Sequence, residues 1–224
     1  MGVAIIGVGA FMRTILPHFQ ATDHDIVLAS EFTDDIGTTV YGMTVLSTHD
    51  LLTPEHAKRS LCIAIADSAA RKRIHEEMSA AGRHFINIHA STSIVYEDAS
   101  IEEGLVLCHF SLILGNTRIG KQFQCNNYSY VAHDCVIGDY VTFSSYVVCN
   151  SNVVVEDSAY VGAGAIIRNG SPDQPIVIGT DAVIGMGAVV TRTVPPGVTV
   201  VGNPARLFKQ HGHPSDRQAV RDDS

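Results

Sequence analysis

A period of six residues governs the hydrophobic positions in the second half of the chain. From residue 95 to residue 166 the chain divides into twelve six-residue units without a slip, and the first position of every unit is apolar. The fifth position is mostly small or β-branched, and the same register resumes at Ile178 and Ile184 after a break. The twelve first positions are Val95, Ile101, Leu107, Ile113, Ile119, Cys125, Val131, Ile137, Phe143, Cys149, Val155 and Val161.

This period fits neither an amphipathic α-helix, which needs a spacing of about 3.6 residues, nor a simple strand, which alternates. It predicts a triangular parallel β-helix in which three short strands make one coil and the first positions stack inside the prism. We expect the winding to be left-handed, an exception to the usual right-handed crossover. The predicted coils are 95–112, 113–130, 131–148, 149–166 and 178–195.

Two segments interrupt or close this pattern. Residues 167–177 contain Gly, Ser, Asp and two Pro, which is typical of a loop. This loop is an active-site wall, a subunit arm or simply a solvated excursion, and the sequence leaves these alternatives open. The Pro-Pro-Gly at 195–197 is predicted to end the β-helix, and 209–224 is a polar C-terminal tail.

The first half predicts a small α/β domain over residues 1–90, Rossmann-like with a parallel sheet, ahead of a β-helix domain over 91–208. Apolar strand patterns alternate here with helical patterns, which favours an open parallel sheet. Ligands of such sheets bind at the carboxyl ends of the strands. The predicted strands are 3–7, 25–29, 60–66 and 84–88 with an extended piece at 40–46, and the predicted helices are 11–20, 53–58 and 69–81.

The glycine turn after the first strand is a weak sign of phosphate binding. Gly7 and Gly9 match the start of a GxGxxG motif, but Met12 stands where the third glycine belongs. Glu31, after the second strand, either reaches a ribose or a base or is a solvated loop acid. Both interpretations stay open at this point.

The composition of the chain argues against some classes of partner. The 224 residues carry 15 Lys and Arg against 23 Asp and Glu, a net charge of −8, which argues against a nucleic-acid partner. No apolar run is long enough for a membrane span, so no membrane partner is expected. Five cysteines form no CxxC pair, which favours free thiols and a cytoplasmic location.

His133 is the best catalytic candidate among eleven histidines. It lies in the third position of its six-residue unit, and Asp134 follows it directly. A neighbouring carboxylate fixes the tautomer of an imidazole and raises its basicity, as a general base near neutral pH requires. Asn126, seven residues earlier, offers an amide that could orient a substrate. The alternative is an ordinary surface histidine.

Several segments resemble the NeuD/PglD family of hexapeptide-repeat sugar O- or N-acetyltransferases. They are AIIGVGAF at the amino terminus, VAHDCVIGDYV at 131–141, VGAGAII at 161–167, and IGTDAVIGMGAVVTRTVPPGVTVVGNPAR at 178–206. The resemblance covers residues 2–208. It implies a homotrimer that transfers the acetyl group of acetyl-CoA to the amino group of a nucleotide-linked aminodeoxysugar, in O-antigen or lipopolysaccharide biosynthesis, without a metal.

The resemblance also implies roles for individual residues. The catalytic histidine and its acid fall on His133 and Asp134, and a substrate-contacting asparagine falls on Asn126. The nucleotide pocket falls on Gly9, Ala10, Phe11, Ser30, Glu31, Ala66 and Asp67. Contacts to CoA fall on or near Thr142, Ser151, Ala163 and Met186. Phe11-Met12, Ser30-Glu31 and Ala66-Asp67 depart from the family pattern, which leaves the nucleotide open.

The sequence raises three alternative functions, and it excludes the first. A γ-type carbonic anhydrase needs a histidine five residues beyond His133, where this chain has Gly138, so its zinc site cannot form. O-acetylation of a sugar hydroxyl would use the same His-Asp pair. A non-catalytic nucleotide-sugar-binding trimer would show no release of thiol from acetyl-CoA.

Overall fold

The computed structural model describes residues 2–20 and 24–208, so the predicted tail at 209–224 lies outside the described residues. An open α/β sheet comes first in the chain and a three-sided parallel β-helix follows. The sheet has the strand order β3-β4-β2-β1-β5, parallel except for the β3–β4 pair. Its elements are β1 Gly2–Ile6, α1 Ala10–Gln20, β2 Asp25–Ser30, β3 Thr39–Val40, β4 Met43–Ser47, a 3₁₀ turn Asp50–Leu52, β5 Ser60–Ile63 and α2 Ser68–Ala80.

Strand β1 is the centre of this sheet because both of its faces are covered. Val3 and Ile5 pack in a cluster with Met12 and other apolar residues of α1. Ala4 and Ile6 pack in a second cluster with α2. Period-2 alternation along one strand thus assigns the two helices to opposite faces of the sheet.

Two local predictions are wrong in this region. The expected strand at 84–88 makes a single bridge, Leu61 to Phe85, and β6 (Ile88–His89) pairs instead with the β-helix. The expected helix at 53–58 consists of turns after the 3₁₀ segment. At 84–88 the end of an apolar strand pattern pairs with β9 of the β-helix instead. At 53–58 the turns are held from outside, because Arg83 donates to the carbonyl oxygen of His56.

The β-helix has three faces, each a parallel sheet whose neighbouring strands lie 18 residues apart through most of its length. The first face contains β7 Ile94–Val95, β10 Leu112–Ile113, β13 Tyr130–Val131, β16 Val148–Cys149, β19 Ile166–Ile167 and β22 Val189–Val190. The second contains β8 Ser100–Ile101, β11 Arg118–Ile119, β14 Val136–Ile137, β17 Val153–Val155 and β20 Ile176–Ile178. The third contains β6, β9 Val106–Leu107, β12 Gln124–Cys125, β15 Thr142–Phe143, β18 Tyr160–Val161, β21 Val183–Ile184, β23 Thr199–Val201 and, antiparallel at its edge, β24 Arg206–Leu207.

The predicted period of six is confirmed in the interior of the prism. Val131 aligns with Ile113 on one side and Cys149 on the other, and all three are fully buried. Cys135 also points inward and is buried. The Pro-Pro-Gly at 195–197 does not end the sheet, because β23 continues the third face beyond it.

A buried arginine joins the two parts of the chain. Arg71 on α2 is fully buried, and burial lowers the pKa of its guanidinium to about 10. Its N–H groups donate across the contact to the third face of the β-helix and to the loop after β5. The acceptors include the carbonyl oxygens of Ile65, Ala66, Gln122 and Tyr140 and the hydroxyl of Thr142.

We expect Arg71→Met to lower the free energy of unfolding by about 3 kcal/mol, because it leaves several buried carbonyl groups without a donor. Arg73→Met on the same helix is the matched control, since the Arg73 side chain is 58% exposed. Chemical denaturation of the two variants measures the difference. Equal losses in both would contradict this role for Arg71.

Candidate functional site

A cavity of about 760 Å³ opens at the carboxyl ends of β1, β2 and β5. The turn from Gly7 to Phe11, the segment after β2 and the first turn of α2 enclose it. All seven residues that the resemblance assigns to a nucleotide pocket line this cavity: Gly9, Ala10, Phe11, Ser30, Glu31, Ala66 and Asp67.

The two glycines of the turn have different roles. Gly7 has φ +105°, and a Cβ there would lie 2.9 Å from the carbonyl oxygen of Ala64, so only glycine fits. A Cβ on Gly9 would meet nothing within 4 Å. Gly7 therefore shapes the turn, whereas Gly9 leaves room at the cavity.

An ion pair lies on the cavity wall. Arg73 donates two hydrogen bonds to the carboxylate of Glu31, at 2.7 and 2.6 Å, and this contact raises the pKa of Arg73. Sequence reasoning missed Arg73, Phe32 and Asp35, which also line the cavity. Arg73 could have been found, because α2 begins directly after β5 at the edge where ligands bind.

Most of the charged side chains that line the cavity are acidic. Glu31, Asp35 and Asp67 are opposed by Arg73, the single basic residue among the described residues of the lining. An anionic ligand here would depend on Arg73 and on the free backbone N–H groups of the first turn of α1, which begins at Ala10.

His133 and Asp134 lie on the corner between the first and second faces, and they contact each other. Nδ1 of His133 is 2.6 Å from Oδ2 of Asp134. The hydrogen bond with His133 lowers the pKa of Asp134, and a second one from Asn116 lowers it further. The His133 side chain is 57% exposed, and among residues 2–20 and 24–208 none bonds to its Nε2. The pair can therefore accept a proton from a group in solvent.

The other predicted residues lie on different corners. Asn126 is half-buried on the corner between the third and first faces, at the opposite end of β13 from His133, and its Nδ2 donates to the carbonyl of Phe143. Ala163 and Met186 share this corner and are exposed. Ser151 shares the corner of His133, one coil further along.

Thr142 corrects one of the cofactor predictions. It is 2% exposed on the third face, where its hydroxyl accepts a hydrogen bond from Arg71 and donates one to the carbonyl of Ala66. These contacts make it a domain-contact residue, so its side chain is not free for a cofactor. The threonine hydroxyl thus completes the hydrogen-bond network of Arg71.

The cavity and His133 are separated within one chain. The α/β part packs on the third face through Arg71, and the corner of His133 lies opposite that face of the triangular prism. The α/β part, which holds the cavity, therefore packs on the face of the prism opposite the corner of His133.

The described residues form neither a metal-binding cluster nor a membrane-spanning helix. In the part of the chain that is described, no group of three or more His, Cys, Asp or Glu side chains is arranged to hold a metal ion. Across the same residues, no helix has the length and apolar character needed to cross a membrane.

Comparisons with known proteins find acetyltransferases that match almost the whole chain. No protein-family model matches the chain. The chain is 45% identical to a GDP-perosamine N-acetyltransferase of Escherichia coli O157:H7, over 92% of this chain and 96% of that protein. WeeI of Acinetobacter baumannii AYE superposes with a TM-score of 0.88 at 39% identity, over 93% and 100% of the two chains. The acetyltransferase domain of PglB from Neisseria gonorrhoeae FA1090, in complex with acetyl coenzyme A, superposes with a TM-score of 0.81 at 25% identity, over 92% and 98%.

We expect His133→Ala to raise the pKa of Asp134, because it removes the larger of the two hydrogen bonds that lower that pKa. Carbon-detected NMR titration of the Asp134 carboxyl, in protein labelled at aspartate, measures the shift. An unchanged midpoint in the variant would show that the two side chains do not interact in solution.

Proposed function

The chain belongs to the NeuD/PglD family of hexapeptide-repeat sugar acetyltransferases, and on this premise we propose that it transfers the acetyl group of acetyl-CoA to the amino group of a nucleotide-linked aminosugar. GDP-perosamine is the first candidate substrate, given the 45% identity to an N-acetyltransferase of that name. The observation that carries the proposal is the contact of His133 with Asp134, with Nε2 of His133 open to solvent.

The proposed reaction is a direct transfer. The sugar amine attacks the thioester carbonyl carbon of acetyl-CoA, and Nε2 of His133 removes the amine proton as the C–N bond forms. The C–S bond then breaks, and the CoA thiolate leaves and takes up a proton. Asp134 holds the ring at Nδ1 and stabilises the imidazolium, as in other base-and-orienter pairs. Backbone N–H groups near Ser151 are proposed to stabilise the oxyanion.

The binding roles are proposals as well. We assign the nucleotide to the cavity lined by Gly9, Ser30 and Glu31, with its phosphates at the first turn of α1. CoA is assigned to the corners that carry Ser151, Ala163 and Met186. Family membership further supports a Rossmann-like first domain ending near residue 90, left-handed coils, a place in lipopolysaccharide biosynthesis and a cytoplasmic location.

The separation of His133 from the cavity leads us to propose a homotrimer with its active sites between chains. The outward residues of the first face form an apolar row: Ile94, Leu112, Tyr130, Val148, Ile166 and Val189. The adjoining corner adds three exposed stacked rings, Phe110, Tyr128 and Tyr146, with centroids 5.0 and 4.8 Å apart. A second copy on this face would cover the row and bring its own His133 towards Asn126 and the cavity of the first.

His133→Ala should lower kcat by about 10²–10⁴-fold, the usual contribution of a general base. Release of CoA thiol is measured with acetyl-CoA and a panel of GDP-, UDP- and dTDP-linked aminosugars. His84→Ala, an exposed histidine of the α/β part, is the control. More than a tenth of the wild-type turnover in His133→Ala would contradict the assignment. Activity only towards hydroxyl analogues would favour O-acetylation, and binding without thiol release would favour a scaffold.

Ile166→Glu should break the trimer, because it places a charge in the apolar row at a residue that is 40% exposed in the single chain. Tyr160→Glu is the matched control, since Tyr160 is 39% exposed but lies on the third face. Light scattering separates a mass of about 72 kDa, three chains of 24.0 kDa, from that of one chain. Equal masses for the two variants would contradict the proposed interface.

Co-expression of two inactive variants tests whether the site is shared. His133→Ala removes the base, and Gly9→Phe fills the cavity where a Cβ meets no atom. Mixed trimers should regain about a quarter of the wild-type activity, because about one site in four joins an intact cavity to an intact His133. No recovery would place both halves of the site in one chain.

A further inference from the structure

Asn116 contacts the carboxylate of Asp134 on the side away from His133. Its Nδ2 donates a hydrogen bond to Oδ1 of Asp134, while Oδ2 of the same carboxylate bonds to His133. Both oxygens of Asp134 are therefore engaged, each by a different neighbour. No motif in the sequence singles out Asn116, and the mechanism above does not use it.

The period of 18 residues creates this contact. Asn116 and Asp134 occupy the same corner position in consecutive coils, with φ +52° and φ +59°. The backbone N–H of Asp134 donates to the carbonyl of Gly115 at 3.3 Å. One coil further back, the backbone N–H of Asn116 donates to Oδ2 of Asp98 at 3.1 Å. The three residues thus form a column along one corner, and Asp98 fixes the backbone of Asn116.

A carboxylate at this exposed corner needs such support. The Asp134 side chain is 39% exposed, so water competes for its oxygens, and the hydrogen bond with the 57% exposed His133 engages only one of them. Asn116 supplies a donor that carries no charge of its own. An aspartate in its place would put a third carboxylate into the column.

We propose that Asn116 is a positioning residue for acetyl transfer: it fixes the Asp134 carboxylate, which in turn orients the His133 ring so that Nε2 faces the substrate. This inference rests on the proposed function, because it takes His133 as the base. The hydrogen bond from Asn116 also helps to keep Asp134 ionised, since it contributes to the low pKa of that group.

Two substitutions separate positioning from folding. Asn116→Gly removes the carboxamide and keeps the left-handed backbone free of strain. Asn116→Asp keeps the shape and replaces the donor with an acceptor. Ser158→Gly is the control, because Ser158 has φ +59° at a different corner. Thermal unfolding of all three checks the fold.

We expect Asn116→Gly to lower kcat by about 10-fold with little change in KM for either substrate, comparable to the loss of an outer hydrogen bond around other functional groups. Asn116→Asp should lower kcat at least as far and move the acid limb of the kcat/KM profile to higher pH, because a second carboxylate favours the protonated form of the His133–Asp134 pair. The ionisable groups of this corner, among the described residues, are Glu97, Asp98, His133, Asp134, the buried Cys135 and, further along, Arg168, Asp173 and Arg192. Ser158→Gly should retain wild-type kcat and pH profile.

A double-mutant cycle with His133→Ala completes the test. In that background Asn116→Gly should have no further effect, because its influence passes through the ring. Wild-type kcat in Asn116→Gly, a change in KM alone, or an unchanged loss in the His133→Ala background would each overturn the inference while leaving the proposed function intact. Wild-type activity of His133→Ala itself would overturn the proposed function, and this inference with it.

Discussion

The structure depends on one constraint, the backbone pairing of each coil with the coil 18 residues away. This pairing leaves a narrow interior that accepts Val, Ile, Cys and an occasional Phe, and it puts residues 18 apart into contact. The same constraint builds the corners, where Asp98, Asn116 and Asp134 follow one another. The 18-residue pairing that stacks apolar residues inside the prism therefore also aligns the corner residues that surround the candidate base.

The β-helix could be predicted from the sequence because its period is repeated twelve times, so that accidental matches are averaged out. The α/β part was harder, since each element occurs once. The segment 84–88 has the apolar composition of a strand, yet its end joins the β-helix, where Ile88 finds a partner in Val106. No local pattern could show this, because the competing partner lies in the other half of the chain.

The candidate site was also predicted only in part from the sequence. The location of the cavity at the ends of β1, β2 and β5 follows from the rule that parallel strands present their carboxyl ends together. The seven residues that the resemblance assigns to a nucleotide pocket line this cavity. Thr142 shows the limit of transfer by resemblance. Its role depends on Arg71, which is 71 residues away in the sequence and contacts it only after the two parts have packed. A residue's role cannot be read from its position in a motif when it depends on a partner from the other part of the chain.

The excursion at 168–175 shows where such a chain can change its length. It leaves β19 and returns at β20, which still pairs with β17 in the second face as though nothing had been inserted. An insertion confined to a corner leaves the strand pairing of the coils on either side of it unchanged. A single residue added within a strand would instead shift the coils on its two sides out of register by one residue. Insertions and deletions among proteins of this architecture should accordingly occur at the corners, where loops can change in length while the strand pairing of the β-helix is kept.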